Sequence, residues 1–120
     1  MRRIFACSLL LLSLMGGRAL ANAHLQGSEP TAGAVLAHPP RWLRLRFDEF
    51  VRLPGTGVEL AYPDGRTRLV GPLTREPGDF RGLLSPLPPG LAPGRYVIRW
   101  RALSPNAHRT RGDFIFTVLP

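Results

Sequence analysis

Four segments of this chain alternate apolar and polar residues with a period of two, and that pattern limits the fold more than any other feature. Trp42 to Phe47 sets Leu43, Leu45 and Phe47 against Arg44 and Arg46. Val58, Leu60 and Tyr62 alternate with Glu59 and Ala61, Tyr96, Ile98 and Trp100 with Val97, Arg99 and Arg101, and Phe114, Phe116 and Val118 with Asp113, Ile115 and Thr117. Period two with β-branched and aromatic residues describes a strand that buries one face. Weaker strands are expected at 67–70, 80–84 and around 25–28. Pro63-Asp64-Gly65 reads as a hairpin turn, because Pro presets φ and Gly tolerates a positive one. The 13 Pro and 13 Gly fall largely between alternating segments and so punctuate strands. No segment has a helical period. The expectation is one all-β domain, a two-sheet antiparallel sandwich, with a small closed barrel as the structural alternative. A chain of 120 residues has no room for a second core.

The N-terminal segment has a different composition. Arg2 and Arg3 precede Ile4–Met15, which is apolar apart from Ser8 and Ser13, and then Gly16, Gly17, Arg18 and small residues. This is the layout of a secretory signal peptide. The apolar run falls well short of the roughly 20 residues of a membrane-spanning helix, so no span is expected. Two sites satisfy the small-x-small cleavage rule. Ala19-Leu20-Ala21 would leave Asn22 as the new terminus, and Ala21-Asn22-Ala23 would leave His24. The second gives a leader over 1–23 and a domain over 24–120. Either cut removes Cys7, Met1 and Met15, and with them the only Cys and both Met of the chain. The exported domain would then hold no thiol to oxidise outside the cytoplasm and no soft sulfur ligand for Cu(I) or an iron–sulfur cluster.

Few residues remain that could carry chemistry. All 16 basic residues are Arg, against 8 acidic ones. Such a balance can signal nucleic acid. Arg44, Arg46, Arg99 and Arg101, however, occupy the outward positions of strands, where a solvated face accounts for them, and no nucleic acid partner is expected. There is no Gly-x-Ser-x-Gly, no His-Glu-x-x-His and no phosphate-cradling Gly-rich loop, so no enzyme is expected. Asp48 and Glu49 are adjacent and would point to opposite faces of a strand, which suits a strand-end turn better than an acid/base couple.

The three histidines say more. His38 precedes Pro39-Pro40 and reads as a surface loop residue. His108 lies in the loop after the strand that ends near Arg101. His24 lies at or near the new terminus wherever cleavage falls. A terminal His offers an α-amine and an imidazole to one metal ion. As third residue after Asn22-Ala23, it would complete a set of amine, two amide and imidazole nitrogens. Both arrangements suit Cu(II), which prefers nitrogen and oxygen donors in tetragonal geometry.

From His24 onward the sequence resembles the CopC family of periplasmic copper-binding, copper-resistance proteins. The likeness is carried by His24-Leu25-Gln26-Gly27-Ser28-Glu29-Pro30, Gly33-Ala34-Val35-Leu36 and Leu43-x-Leu45-x-Phe47-x-Glu49. It continues through Pro93-Gly94-Arg95-Tyr96, Trp100-Arg101-Ala102-Leu103-Ser104, His108, Gly112, Phe114, Phe116 and Val118. The resemblance implies a Greek-key β-sandwich, cupredoxin-like or immunoglobulin-like, in the periplasm. It implies Cu(II) held by an N-terminal His, an Asp and a second His two residues after that Asp. It also implies partnership with a CopD-like inner-membrane copper transporter. In this chain the loop that usually reads Asp-Gly-His reads Asn106-Ala107-His108. Aligned on the Leu and Ser-x-Pro that follow, the family's terminal His falls at Asn22. The metal-binding residues expected here are His24 and His108, with Asn106 as a weak donor in place of the carboxylate. The function expected is a Cu(II) carrier or scavenger. The rival expectation is a metal-free sandwich that serves as an interaction module beside such a transporter.

Overall fold

The computed structural model describes residues 23–120. The expected leader lies outside the described residues except for Ala23. Nine strands form among the described residues: β1 (Leu25–Glu29), β2 (Ala34–Leu36), β3 (Trp42–Phe47), β4 (Arg52–Ala61), β5 (Thr67–Val70), β6 (Thr74–Glu76), β7 (Asp79–Pro86), β8 (Gly94–Leu103) and β9 (Arg109–Val118). They build two sheets, one ordered β1-β3-β7-β6 and the other β2-β9-β8-β4-β5. Every pairing is antiparallel except β2 with β9. The sandwich expected from the alternation is therefore present, and the closed barrel is not.

The core lies between the sheets and is filled by the inward set of each alternating segment. Leu43, Leu45 and Phe47 from β3 meet Val58, Leu60, Ile98, Phe116 and Val118 from the other layer, all nearly or fully buried. Phe47 packs edge-on against Trp100 with ring centroids 5.3 Å apart, which joins the two sheets at one end. Tyr96 stacks on Phe116 at 5.2 Å, and its hydroxyl donates to the Ala92 carbonyl at 2.6 Å. That bond satisfies the one polar atom of a buried ring. Gly112 is the cross-strand partner of Trp100, and a Cβ there would stand 2.7 Å from the indole Cζ2. The missing side chain makes room for the indole.

The outward positions behave as expected for a solvated face. Arg44 pairs with Glu76 at 3.2 Å, Arg46 with Asp79 at 2.9 Å and Arg99 with Glu59 at 3.4 Å. The Pro63-Asp64-Gly65 turn closes β4 onto β5, with Gly65 at φ 93° and its N–H donating to the Tyr62 carbonyl at 2.9 Å. β2 and β6 are short strands the alternation does not announce, since three residues carry no readable period. β4 and β9 begin several residues before their alternating stretches.

Candidate metal centre

β1 adds to the edge of β3 with Leu25 opposite Phe47. One residue further, that antiparallel pairing sets His24 opposite Asp48. The Asp48 N–H donates to the His24 carbonyl at 2.9 Å, and the His24 N–H donates to Asp48 Oδ1 at 2.8 Å. The second carboxylate oxygen stands 3.6 Å from His24 Nδ1. One carboxylate therefore holds the backbone of His24 and faces its ring. Both side chains stay open, 68% exposed for His24 and 38% for Asp48. A metal ion could reach them from solvent.

His108 closes the turn between β8 and β9, the longest hairpin among the described residues. Its backbone is gripped on both sides by Ser104, which is fully buried. The His108 N–H donates to Ser104 Oγ at 3.1 Å, and the Ser104 N–H donates to the His108 carbonyl at 2.9 Å. The Ala107 N–H donates to the Ser104 carbonyl at 2.9 Å, which folds the intervening residues into a tight turn. Ala107 sits at φ 66°, in the left-handed region that favours Gly. Asn106 and His108 are both exposed on this turn.

Among the described residues, a hydrogen bond ties the two parts together. Thr110 Oγ1 donates to the Ala23 carbonyl at 2.7 Å. Ala23 precedes His24 in the chain, and Thr110 follows His108 by two residues. Both histidines are thus held toward the same end of the sandwich, beside the contact of Ala23 with β9. Among the described residues, no three His, Cys, Asp or Glu side chains converge into a ready-made cluster. The donors present at this end are the His24–Asp48 pair, the His108 ring and the Asn106 amide. His38 lies elsewhere, exposed in the loop before β3.

Three residues that position this end are not singled out by their local sequence. Asp48 reads as a strand-end turn, and it is one, but the register of β1 on β3 also gives it His24. The signal was the pairing of two segments rather than any motif. Ser104 and Thr110 look like ordinary small polar residues until the hairpin is closed.

The comparisons with known proteins agree with this architecture. The CopC domain profile matches residues 25–119. Protein YobA of Escherichia coli K12 is 31% identical over 114 residues, covering 95% of this chain and 92% of that protein. Protein YobA of Shigella flexneri matches to the same extent. The crystal structure of CopC from Methylosinus trichosporium OB3b superposes with a TM-score of 0.72 at 29% identity, covering 82% of this chain and 95% of that one. PcoC, a methionine-rich copper resistance protein from Escherichia coli, superposes with a TM-score of 0.64 at 26% identity, covering 82% and 99%. With its family profile spanning nearly all of the described sandwich and its structural neighbours among copper resistance proteins, the chain belongs to the CopC domain family.

Proposed function

We propose that this protein is exported to the periplasm and there binds Cu(II) as a carrier or scavenger in copper resistance and homeostasis, without catalysing a reaction. The observation that supports the reading is the hydrogen bond from Thr110 on β9 to the Ala23 carbonyl, which joins the residue before His24 to the strand that follows His108. In this reading the imidazoles of His24 and His108 are the principal ligands. Asp48 lies against His24 and supplies the negative charge that Asn106, a neutral amide, does not. Asn106 acts as a weak or outer partner.

The donor set favours the cupric over the cuprous ion. Imidazole and carboxylate suit Cu(II), whereas thioether sulfur suits Cu(I). Both Met of this chain lie in the expected leader, in contrast to the methionine-rich PcoC. Protons compete with copper for imidazole nitrogen, so affinity falls on acidification. A CopD-like inner-membrane transporter is the partner this role implies.

The alternative, a metal-free interaction module, draws on one observation: no three ligating side chains converge among the described residues. Titration of Cu(II) into the processed protein, followed by electron paramagnetic resonance, separates the two. One equivalent giving a tetragonal signal with imidazole nitrogen splitting supports the carrier. Absence of stoichiometric binding supports the module. Calorimetry on His108→Ala tests the ligand set, and affinity equal to wild type removes His108 from it.

A further inference from the structure

We propose that signal peptidase cuts this chain after Ala21, so that the exported protein begins at Asn22 and keeps Ala23 as a residue of its folded core. The inference rests on the export reading above and is independent of copper.

Two cleavage sites satisfy the small-residue rule, and they differ in the fate of Ala23. That residue has no solvent exposure and packs within the main hydrophobic cluster. Its carbonyl is the acceptor for the Thr110 hydroxyl at 2.7 Å. A cut after Ala23 would withdraw a methyl group from a close-packed interior and leave a void there. It would also strip the part-buried Thr110 hydroxyl of its acceptor, and a polar group deprived of its partner destabilises more than a bond never made. A cut after Ala21 costs neither. It leaves Asn22 to carry the α-amine, with Ala23 inside and His24 as third residue.

The burial of Ala23 also bears on the terminus chemically. With a cut after Ala23, the new ammonium would be the His24 nitrogen, already 2.8 Å from Asp48 Oδ1. The carboxylate would compete with a metal ion for that amine. With a cut after Ala21, the amine lies two residues away from this contact, and the His24 nitrogen remains an amide donor to Asp48.

Intact mass of the protein recovered from the periplasm decides the matter. The expected mass is that of residues 22–120. A mass for residues 24–120 overturns the inference while leaving export standing. A mass that retains the leader overturns both. A second measurement needs neither export nor copper. Metal-free chains beginning at Asn22 and at His24 are melted side by side, each with and without Thr110→Val. The chain beginning at His24 is expected to melt roughly 4–8 °C lower. Thr110→Val is expected to lower the melting temperature of the Asn22 chain more than that of the His24 chain, which has already lost the acceptor. Equal melting temperatures for the two parents, or equal losses on substitution, would contradict a structural role for Ala23.

Discussion

Asp48 constrains how His24 can bind a metal ion. Coordination through the amide nitrogen of His24 requires that nitrogen to lose its proton. In the folded protein this proton is donated to Asp48 Oδ1 at 2.8 Å, so deprotonation would bring two anions into contact. The imidazole carries no such penalty. Asp48→Ala should therefore shift bound Cu(II) toward a set of four in-plane nitrogens, read as a change in the nitrogen splitting of the copper signal. An identical spectrum in the variant would show that Asp48 does not govern the mode. Ser104 grips the His108 backbone as Asp48 grips that of His24, with a side-chain oxygen on the N–H and a backbone N–H on the carbonyl. Ser104→Ala removes a hydrogen bond of about 1 kcal/mol, about fivefold in an equilibrium constant. A loss of that order in Cu(II) affinity by calorimetry is expected, with the fold retained by circular dichroism. The two histidines stand out in the sequence because imidazole is rare in this chain and chemically distinctive. Asp48 does not, because a carboxylate next to Glu49 at a strand end looks like solvated turn until β1 is laid beside β3.

The β8–β9 hairpin is the element on which the proposed site depends, and its turn contains a mismatch. Ala107 occupies the left-handed region at φ 66°, where a Cβ crowds the backbone. Ala107→Gly should stabilise the protein by about 0.5–1 kcal/mol, seen as a higher midpoint in urea; a lower midpoint would show that the turn is not strained. Gly112 is the opposite case. Its Cα faces the Trp100 indole, so Gly112→Ala should cost about 1–3 kcal/mol through overpacking. Full retention of the urea midpoint would mean the indole can shift freely. The legible elements were those with four or more alternating residues, because one buried face imposes period two along the strand. Residues 67–70 fall in β5 and 80–84 in β7, as the weaker pattern indicates. β2 and β6 owe their existence to partners on β9 and β7 rather than to their own pattern, and no local signal foretells them.

At the scale of the molecule, acid acts in two ways. The side chain of Arg46, with the Arg81 backbone N–H second, holds the Asp79 carboxyl below the ordinary aspartate range. The Arg66 backbone N–H, with its guanidinium second, does the same for Asp64. A carboxyl whose pKa is lower in the folded than in the unfolded state stabilises the fold above the ordinary range. That contribution is lost as pH falls through that range toward the folded value. The urea midpoint should therefore fall between about pH 5 and about pH 3, and fall less in Asp79→Asn. An equal fall in the variant would remove Asp79 from the account. Copper affinity should also fall on acidification, because protons compete with the metal for imidazole nitrogen. The overall sandwich was legible because alternation and turns repeat along the chain. The proposed site was legible only as separate donors, since what ties their neighbours together is Thr110 reaching Ala23 from a distant part of the chain. The most direct test of the central claim is equilibrium dialysis of the natively processed protein against Cu(II), beside a variant carrying His24→Ala and His108→Ala. The account predicts one tightly held ion per chain in the wild type and none in the variant; a wild-type protein that emerges without bound copper, or a variant that binds as well, contradicts it.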